Sequence, residues 1–467
     1  MAFSALSPLS LPFILPLGGI AVIFIAWLIR LPRLAITFLL FTLAAGQLIR
    51  LPLPGQGGGL LPSDLAVVAI LFIAVVRKIL IRATNQINSP NIRSLYQEPA
   101  RNSSRQSMAA KQTINQPASP HIILIFWLML PFIAWSLFTL LLQLPNLGFS
   151  NTAIAFSYWL RLTAHLLLLP ALLLLLQQPS YYLVIWRGFN LTALLLVIIG
   201  LAQLIFFPDL SLLAQAGWDP HQWRLVSTWL DPNFLGIFLV LFFPLIFLWQ
   251  HKVWRLFALT LVIISLAATQ SRSALVAAGA AALIFSPLLL YVQRMHRRRS
   301  NLITALSIVG LLITISTVFI FTLGPRLTGL VTIDPTVELR LISLASGWQV
   351  IRDHPVFGVG YNAYQFVSGT VPAATNYSIH SRAGVDNSWL TIGATTGLLG
   401  VILFLLPWAY LLRSFLFRSL VRHDPRALIG LYGLVALFIH SQFINSFLYS
   451  HLLITVAIIV ALVMPRP

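Results

Sequence analysis

Apolar segments of membrane-spanning length recur along the whole 467-residue chain. Runs such as 166–176 and 234–249 are apolar on every face, whereas the strands of a membrane β-barrel alternate in polarity. A helix needs about 20 apolar residues to cross the hydrocarbon core of a bilayer. Because 58% of the residues are hydrophobic and only 8% are charged, the sequence excludes a soluble enzyme with a single anchor. We predict an all-α polytopic membrane protein.

Hydropathy predicts about 12–13 transmembrane helices, with boundaries accurate to a few residues. The first segment lacks a basic leader and a cleavage site, so we expect a retained span. The predicted helices cover residues 11–29, 34–50, 60–77, 121–143, 153–177, 187–207, 233–250, 256–270, 274–292, 302–322, 389–411, 427–445 and 451–464. We divide the chain into N-terminal transmembrane helices (1–82), a polar, basic linker expected to be disordered (83–120) and a transmembrane core (121–467).

The net charge of +19 follows the predicted topology. Most of the 29 basic residues lie in loops on one face, which the positive-inside rule makes cytoplasmic. This places the linker and the C-terminus in the cytoplasm and the long loop 323–388 outside. The basic excess therefore reflects topology and does not indicate a nucleic-acid partner. Cysteine is absent, so disulfides, thiol nucleophiles and Cys-ligated metals are excluded.

Every basic residue on the opposite face is an arginine. These are Arg50, Arg161, Arg224, Arg272, Arg326, Arg340, Arg352 and Arg382. The guanidinium group pairs bidentately with phosphate, so the set suggests an anionic partner outside the membrane. An equal alternative is that arginine is simply the common base in a chain with three lysines.

The long outer loop contains a predicted amphipathic helix that begins at Asp334–Pro335 and ends before His354–Pro355. Such a helix is expected to rest on the bilayer surface with Arg340 at headgroup depth. A turn follows at Gly358–Gly360. The apolar stripe consists of Val337, Leu341, Leu344, Trp348 and Ile351.

Four polar positions near span ends are candidates for chemistry. Arg272 lies in a break between two apolar segments, where it is either functional or an interfacial residue of a tight turn. Arg224 precedes the helix that begins near Asp231. We interpret Arg161 and His165 as polar core residues. Each would interact with groups around the other, or with an Asp on the outer face.

The segment before the helix at 389–411 contains a possible general base. Asp386 either acts as that base or, like Asn387 and Ser388, caps the helix. A base works best with a pKa near the operating pH, so Asp386 would need burial or a neighbouring anion. His380 starts closer to that range. Phosphate-cradling loops and zinc motifs are missing, which disfavours an ATP-driven pump or a metallohydrolase.

Four ordered segments resemble the O-antigen ligase and O-antigen polymerase family over about residues 190–445. They are Arg224 with Ser227–Asn233, Thr269–Ala274, Arg340 with Trp348 and Asp353–Gly360, and Asp386–Leu390 followed by Gly397–Gly400. Members typically have a His–Asn pair where this chain has Asp386–Asn387. Either Asp386 or His380 takes the role of that His as base, or neither does.

The resemblance implies a glycosyltransferase of the GT-C kind that needs no metal or other cofactor. It would transfer a glycan from undecaprenyl pyrophosphate to a sugar or glycolipid acceptor, at the outer face of the bacterial cytoplasmic membrane. Arg272 and Arg340 match positions expected to hold the pyrophosphate, with Arg224 assisting. The implied partners are the lipid-linked oligosaccharide donor, the acceptor, membrane lipid and other envelope-glycan assembly proteins.

Two rival functions remain open at this point. In a transporter, the outer arginines would collect a small anion, and vesicles without lipid-linked sugar would take it up. In a non-catalytic scaffold for envelope-glycan assembly, the same arginines would tolerate replacement. Ligase and polymerase activities are likewise not distinguished by the sequence.

Overall fold

The computed structural model describes residues 31–52, 59–87, 120–216, 218–295, 335–367 and 384–465. The predicted spans at 11–29 and 302–322 lie outside the described residues, as do His380 and Arg382. Every other predicted span is helical. The fold is an all-α polytopic membrane architecture, as the sequence predicts.

The described part of the chain consists mainly of helices. They are α1 (Pro32–Ala45), α2 (Pro62–Ile87), α3 (Pro120–Leu142), α4 (Leu144–Leu175), α5 (Pro179–Phe206), α6 (Pro232–Phe242), α7 (Lys252–Thr269), α8 (Arg272–Met295), α9 (Pro335–Asp353), α10 (Tyr364–Val367), α11 (Ser388–Leu420), α12 (Pro425–His440) and α13 (Ser450–Val463). A two-stranded antiparallel ribbon joins α1 to α2, with β1 at Leu51–Pro52 and β2 at Gly59–Leu60. Short 3₁₀ helices occupy Ser211–Ala216, Ser227–Trp229, Phe243–Leu248 and Ser446–Leu448.

Many of these helices begin with proline. Its fixed φ suits the first helical position, and its missing N–H costs no hydrogen bond because an N–H there has no partner within the helix. Five helices among the described residues, α3, α4, α5, α7 and α11, are long and apolar enough to cross a membrane. Helices α1, α8, α12 and α13 and the segment Pro232–Leu248 contribute shorter apolar stretches.

The predicted start of the linker differs from the structure. Helix α2 continues through Ile87, past the expected start of the linker at 83. Residues 88–119 of that linker lie outside the described residues.

Helix α9, which the sequence predicts to rest on the bilayer surface, packs on the protein through a face of small residues. Leu341 and Trp348, members of the predicted apolar stripe, are 57% and 55% exposed, whereas Ile351 of the same stripe is buried. The buried face instead contains Ser343 and Ser346. Small side chains are favoured at this contact because they allow α9 to approach its neighbour α11 closely.

The core lies between α6, α8 and α12 on one side and α3, α4 and α11 on the other. Phe238, Phe242 and Trp229 are completely buried within it. Loops from separate parts of the chain meet at one end of the bundle, and that end contains the polar residues described next.

Candidate functional site

The segment Val226–Asn233 is anchored at one end of the bundle. The Trp229 indole N–H donates to the Leu43 carbonyl at 3.0 Å, and the Thr228 hydroxyl donates to the Ala44 carbonyl at 2.6 Å. Asp231 caps α6, since its carboxylate accepts from the N–H groups of Asn233 and Phe234 at 2.7 and 3.1 Å. Asp231 is therefore the N-cap residue of α6.

Arg224 lies against the turn that contains Arg272. Its Nε donates to the Thr269 carbonyl at 3.0 Å, and the Leu225 N–H donates to the Ala268 carbonyl at 3.0 Å. The Gln270 side chain completes the attachment by donating to the Trp223 carbonyl at 3.0 Å. The two loops are therefore joined at several points.

Arg272 is the first residue of α8, and serines stand on both sides of it. The Ser271 hydroxyl donates to Asn233 Oδ1 at 3.0 Å and lies 3.2 Å from the Ser273 hydroxyl. Ser273 in turn contacts Nε2 of the buried His440 at 3.1 Å. This network fixes the backbone from which the Arg272 guanidinium extends.

Helix α9 positions Arg340 beside Asp386. The Ser343 hydroxyl accepts from the Asp386 N–H at 3.1 Å. Gly347 lies so close to Val385 that a Cβ at Gly347 would be 2.5 Å from Val385 Cγ2. Arg340 is one turn before Ser343 on this contact face. Its charge acts on Asp386, on Arg224 and on His440.

Asn387, and not Asp386, caps α11. Its Oδ1 accepts from the N–H groups of Trp389 and Leu390 at 2.8 and 3.0 Å, and its Nδ2 donates to the Gln442 carbonyl at 2.9 Å. The Asp386 carboxylate is therefore not used for capping. Among the described residues it forms no hydrogen bond or ion pair.

The environment of Asp386 supplies both conditions that a base here requires. Burial raises the pKa of Asp386, and the negative charges of Asp219 and Asp231 raise it further, while Arg340 opposes them. A carboxyl whose pKa is raised is a stronger proton acceptor than an ordinary aspartate. The structure thus brings Arg224, Arg340 and Asp386 together with the turn of Arg272.

Three polar residues of this end escape sequence analysis: Asp219, His221 and His440. Burial, followed by the charge of Arg224, lowers the pKa of His221, so its imidazole is neutral at neutral pH. His221 Nε2 is buried without a hydrogen-bond partner among the described residues. His440 could have been found as a polar residue inside an apolar span. No spacing or motif marks Asp219 or His221.

Arg161 and His165 belong to a separate polar cluster with Asp64. Arg161 Nη2 lies 2.8 Å from Asp64 Oδ2, and His165 Nε2 lies 3.7 Å from Asp64 Oδ1. Their expected pairing with an outer aspartate is confirmed. In the part of the chain that the structure describes, no group of three His, Asp or Glu side chains is arranged to hold a metal.

Residues 256–405 match a family model described as O-antigen ligase. The match confirms the resemblance seen in the sequence and includes Arg272, Arg340 and Asp386, whereas Arg224 precedes it. It supports a glycan-transfer role in envelope polysaccharide assembly, for an integral membrane protein with a glycan donor and an acceptor. Comparison with curated proteins gives no significant match.

Proposed function

We propose that this protein transfers a glycan from undecaprenyl pyrophosphate to a sugar hydroxyl at the outer face of the cytoplasmic membrane. One observation carries the proposal: Arg224, Arg340 and Asp386 come from distant segments and lie close enough to affect one another's charge, while Arg224 is bonded to the turn that precedes Arg272. A phosphate-binding cation group beside a carboxylate of raised pKa matches what such a transfer requires. The family match over residues 256–405 supports the same reaction class.

The three arginines would hold the pyrophosphate. Guanidinium groups bind phosphate oxygens through paired N–H donors, and they stabilise charge that develops on a leaving group. Arg224 and Arg340 repel each other, and this repulsion contributes to the lowered pKa of Arg224. An anion placed between them would relieve this repulsion, which favours a doubly charged ligand here.

Asp386 would accept the proton of the attacking hydroxyl. The acceptor oxygen forms a bond to the anomeric carbon, and the bond from that carbon to the phosphate oxygen breaks. Its electron pair leaves with the pyrophosphate, and the hydroxyl proton moves to the Asp386 carboxylate. Direct attack of this kind inverts the anomeric configuration. His380, the alternative base, lies outside the described residues; Asp386 is the proposed base because burial raises its pKa.

The test is transfer by the purified full-length chain in lipid nanodiscs, with the undecaprenyl-pyrophosphate-linked repeating unit of the source cell as donor. We expect Arg272→Gln and Asp386→Asn to retain folding and lose transfer, by about 10²-fold or more. Arg352→Gln is the matched control, since Arg352 is an exposed arginine near the end of α9. Full activity of both site variants would refute the assignment.

Deletion of the gene separates the two transfer reactions. Single repeating units on the acceptor, without long chains, indicate a polymerase. Accumulation of full-length lipid-linked glycan indicates a ligase. An unchanged surface polysaccharide, together with anion uptake by vesicles that lack lipid-linked sugar, would replace the proposal by transport.

A further inference from the structure

A second polar site lies beside the charge cluster, in a cavity of about 330 Å³. Its walls come from the β1–β2 ribbon, α4, the segment before α6, the loop after α9 and the start of α13. The volume is near the lower end of the range of about 300–1,000 Å³ typical of ligand sites. The cavity is therefore suited to one end of an extended ligand.

Aromatic rings form much of the cavity wall. Phe234 and Tyr449 stack with their ring centres 3.8 Å apart and their planes 5° from parallel. On other sides, the Arg50 guanidinium lies 5.3 Å from the Trp218 ring centre and the Arg161 guanidinium lies 5.4 Å from that of Tyr158. Flat rings that are fixed by stacking offer faces to the C–H surface of a sugar ring.

Amide side chains supply hydrogen-bonding groups between these rings. Gln47, Asn362 and Asn445 all line the cavity. Asn362 Nδ2 is buried and has no hydrogen-bond partner among the described residues. A buried donor without a partner is costly, so a ligand oxygen that accepts from it gains more than a surface contact would.

The cavity shares its wall with the segment that contains Asp386. The Thr391 hydroxyl and Asn445 Nδ2 both line the cavity, and both donate to the Val385 carbonyl, at 2.9 and 2.6 Å. Phe234 also lines the cavity, while its N–H donates to the capping carboxylate of Asp231. Two residues of the cavity wall are thus hydrogen-bonded to Val385, the residue that precedes the proposed base.

We propose that this cavity binds the terminal sugar of the acceptor glycan. The inference rests on the proposed function, since it assigns the acceptor side of the same transfer. Aromatic faces and amide groups recognise carbohydrate, while the pyrophosphate is assigned to the separate arginine group around Arg224 and Arg340. A glycan held in the cavity would extend past Val385, so that its acceptor hydroxyl comes within hydrogen-bond reach of Asp386.

Direct binding tests the cavity without requiring transfer. The probe is the repeating-unit oligosaccharide, obtained by hydrolysis of the surface polysaccharide of the source cell. Its binding to the full chain in nanodiscs is measured by saturation-transfer NMR. We expect Trp218→Ala and Asn362→Gly each to weaken binding about tenfold. Glycine keeps the left-handed backbone of Asn362, whose φ is 55°. His423→Gly, at another left-handed position with φ of 51° beyond the far end of α11, is the matched control.

Kinetics then separate the two proposals. In Asn362→Gly the KM for the acceptor should rise with the KM for the lipid-linked donor unchanged, whereas Arg340→Gln should leave oligosaccharide binding intact. Equal binding by wild type and both cavity variants, or displacement of the oligosaccharide by inorganic pyrophosphate, would overturn the cavity assignment. Absence of transfer by a wild type that still binds sugar in the cavity would instead overturn the proposed reaction.

Discussion

Replacement of Arg340 by glutamine should alter both the rate of transfer and its pH dependence. Arg340 contributes a cation to the proposed pyrophosphate site, and removal of one such donor typically costs about 10²–10³ in kcat, or about 2.7–4 kcal/mol. The same charge lowers the pKa of Asp386, against the burial that raises it. A single substitution therefore has two separable consequences.

The direction of the pH effect follows from the role of Asp386. A base must be deprotonated, so activity rises with pH through the pKa of Asp386 in the acidic limb of the profile. When Arg340 is replaced by a neutral residue, the positive charge that favours the carboxylate form of Asp386 is lost, and the pKa of Asp386 rises. The acidic limb of Arg340→Gln should therefore lie at higher pH than that of the wild type.

The assay is kcat/KM for glycan transfer across the acidic range, measured for wild type, Arg340→Gln, Arg340→Lys and the control Arg352→Gln. Lysine keeps the charge but not the bidentate fork, so Arg340→Lys should restore the pH limb while remaining slow. Arg352→Gln should match the wild type in both respects. An acidic limb in Arg340→Gln that is unchanged, or moved to lower pH, would refute the electrostatic link between Arg340 and Asp386.

Three further substitutions test the architecture around the site through thermal unfolding in detergent. Gly397→Ala should lower stability by about 3 kcal/mol or more, because φ is +72° and the added Cβ would lie 1.9 Å from the Val356 carbonyl oxygen; normal stability would contradict that contact. Asn387→Ala should cost about 1 kcal/mol by loss of the α11 cap, and no change would show that the cap bonds are dispensable. Asp64→Asn should cost about 3–5 kcal/mol because it leaves the largely buried Arg161 charge uncompensated. Adding Arg161→Gln should recover much of that loss, and a still less stable double variant would contradict the pairing.

The sequence predicts the helices well because long apolar runs permit few alternatives in a membrane. It also marks Arg224, Arg272, Arg340 and Asp386 as candidates, since they lie in ordered motifs. Asp219, whose charge acts on Asp386, and His221, near Arg224, are not predicted, because these approaches come only from the packing of loops that are far apart in the chain. Hydropathy cannot reveal this packing.

The protein contacts of α9 are a second feature that the sequence does not reveal. Periodicity predicts that Leu341 and Trp348 face the bilayer, and both residues are exposed on the protein surface. The packed face instead contains Ser343 and Gly347, because close approach to Val385 needs little side-chain volume. An amphipathic pattern therefore does not reveal which residues of a helix contact the protein when its large apolar residues face outward.

The interruption of α11 at Gly397 divides that helix into two pieces that are bonded to different parts of the chain. The carbonyl of Ala394 accepts from Val359 and the Leu398 N–H donates to the Pro355 carbonyl, both at 2.9 Å, so the loop after α9 is bonded on both sides of the break. The short piece from Ser388 to Thr396 is also tied to Ser441 and Ile444 beyond α12. Asp386 lies two residues before this piece. The short piece therefore ties the backbone next to Asp386 both to the loop after α9 and to the segment after α12, independently of the longer piece of α11.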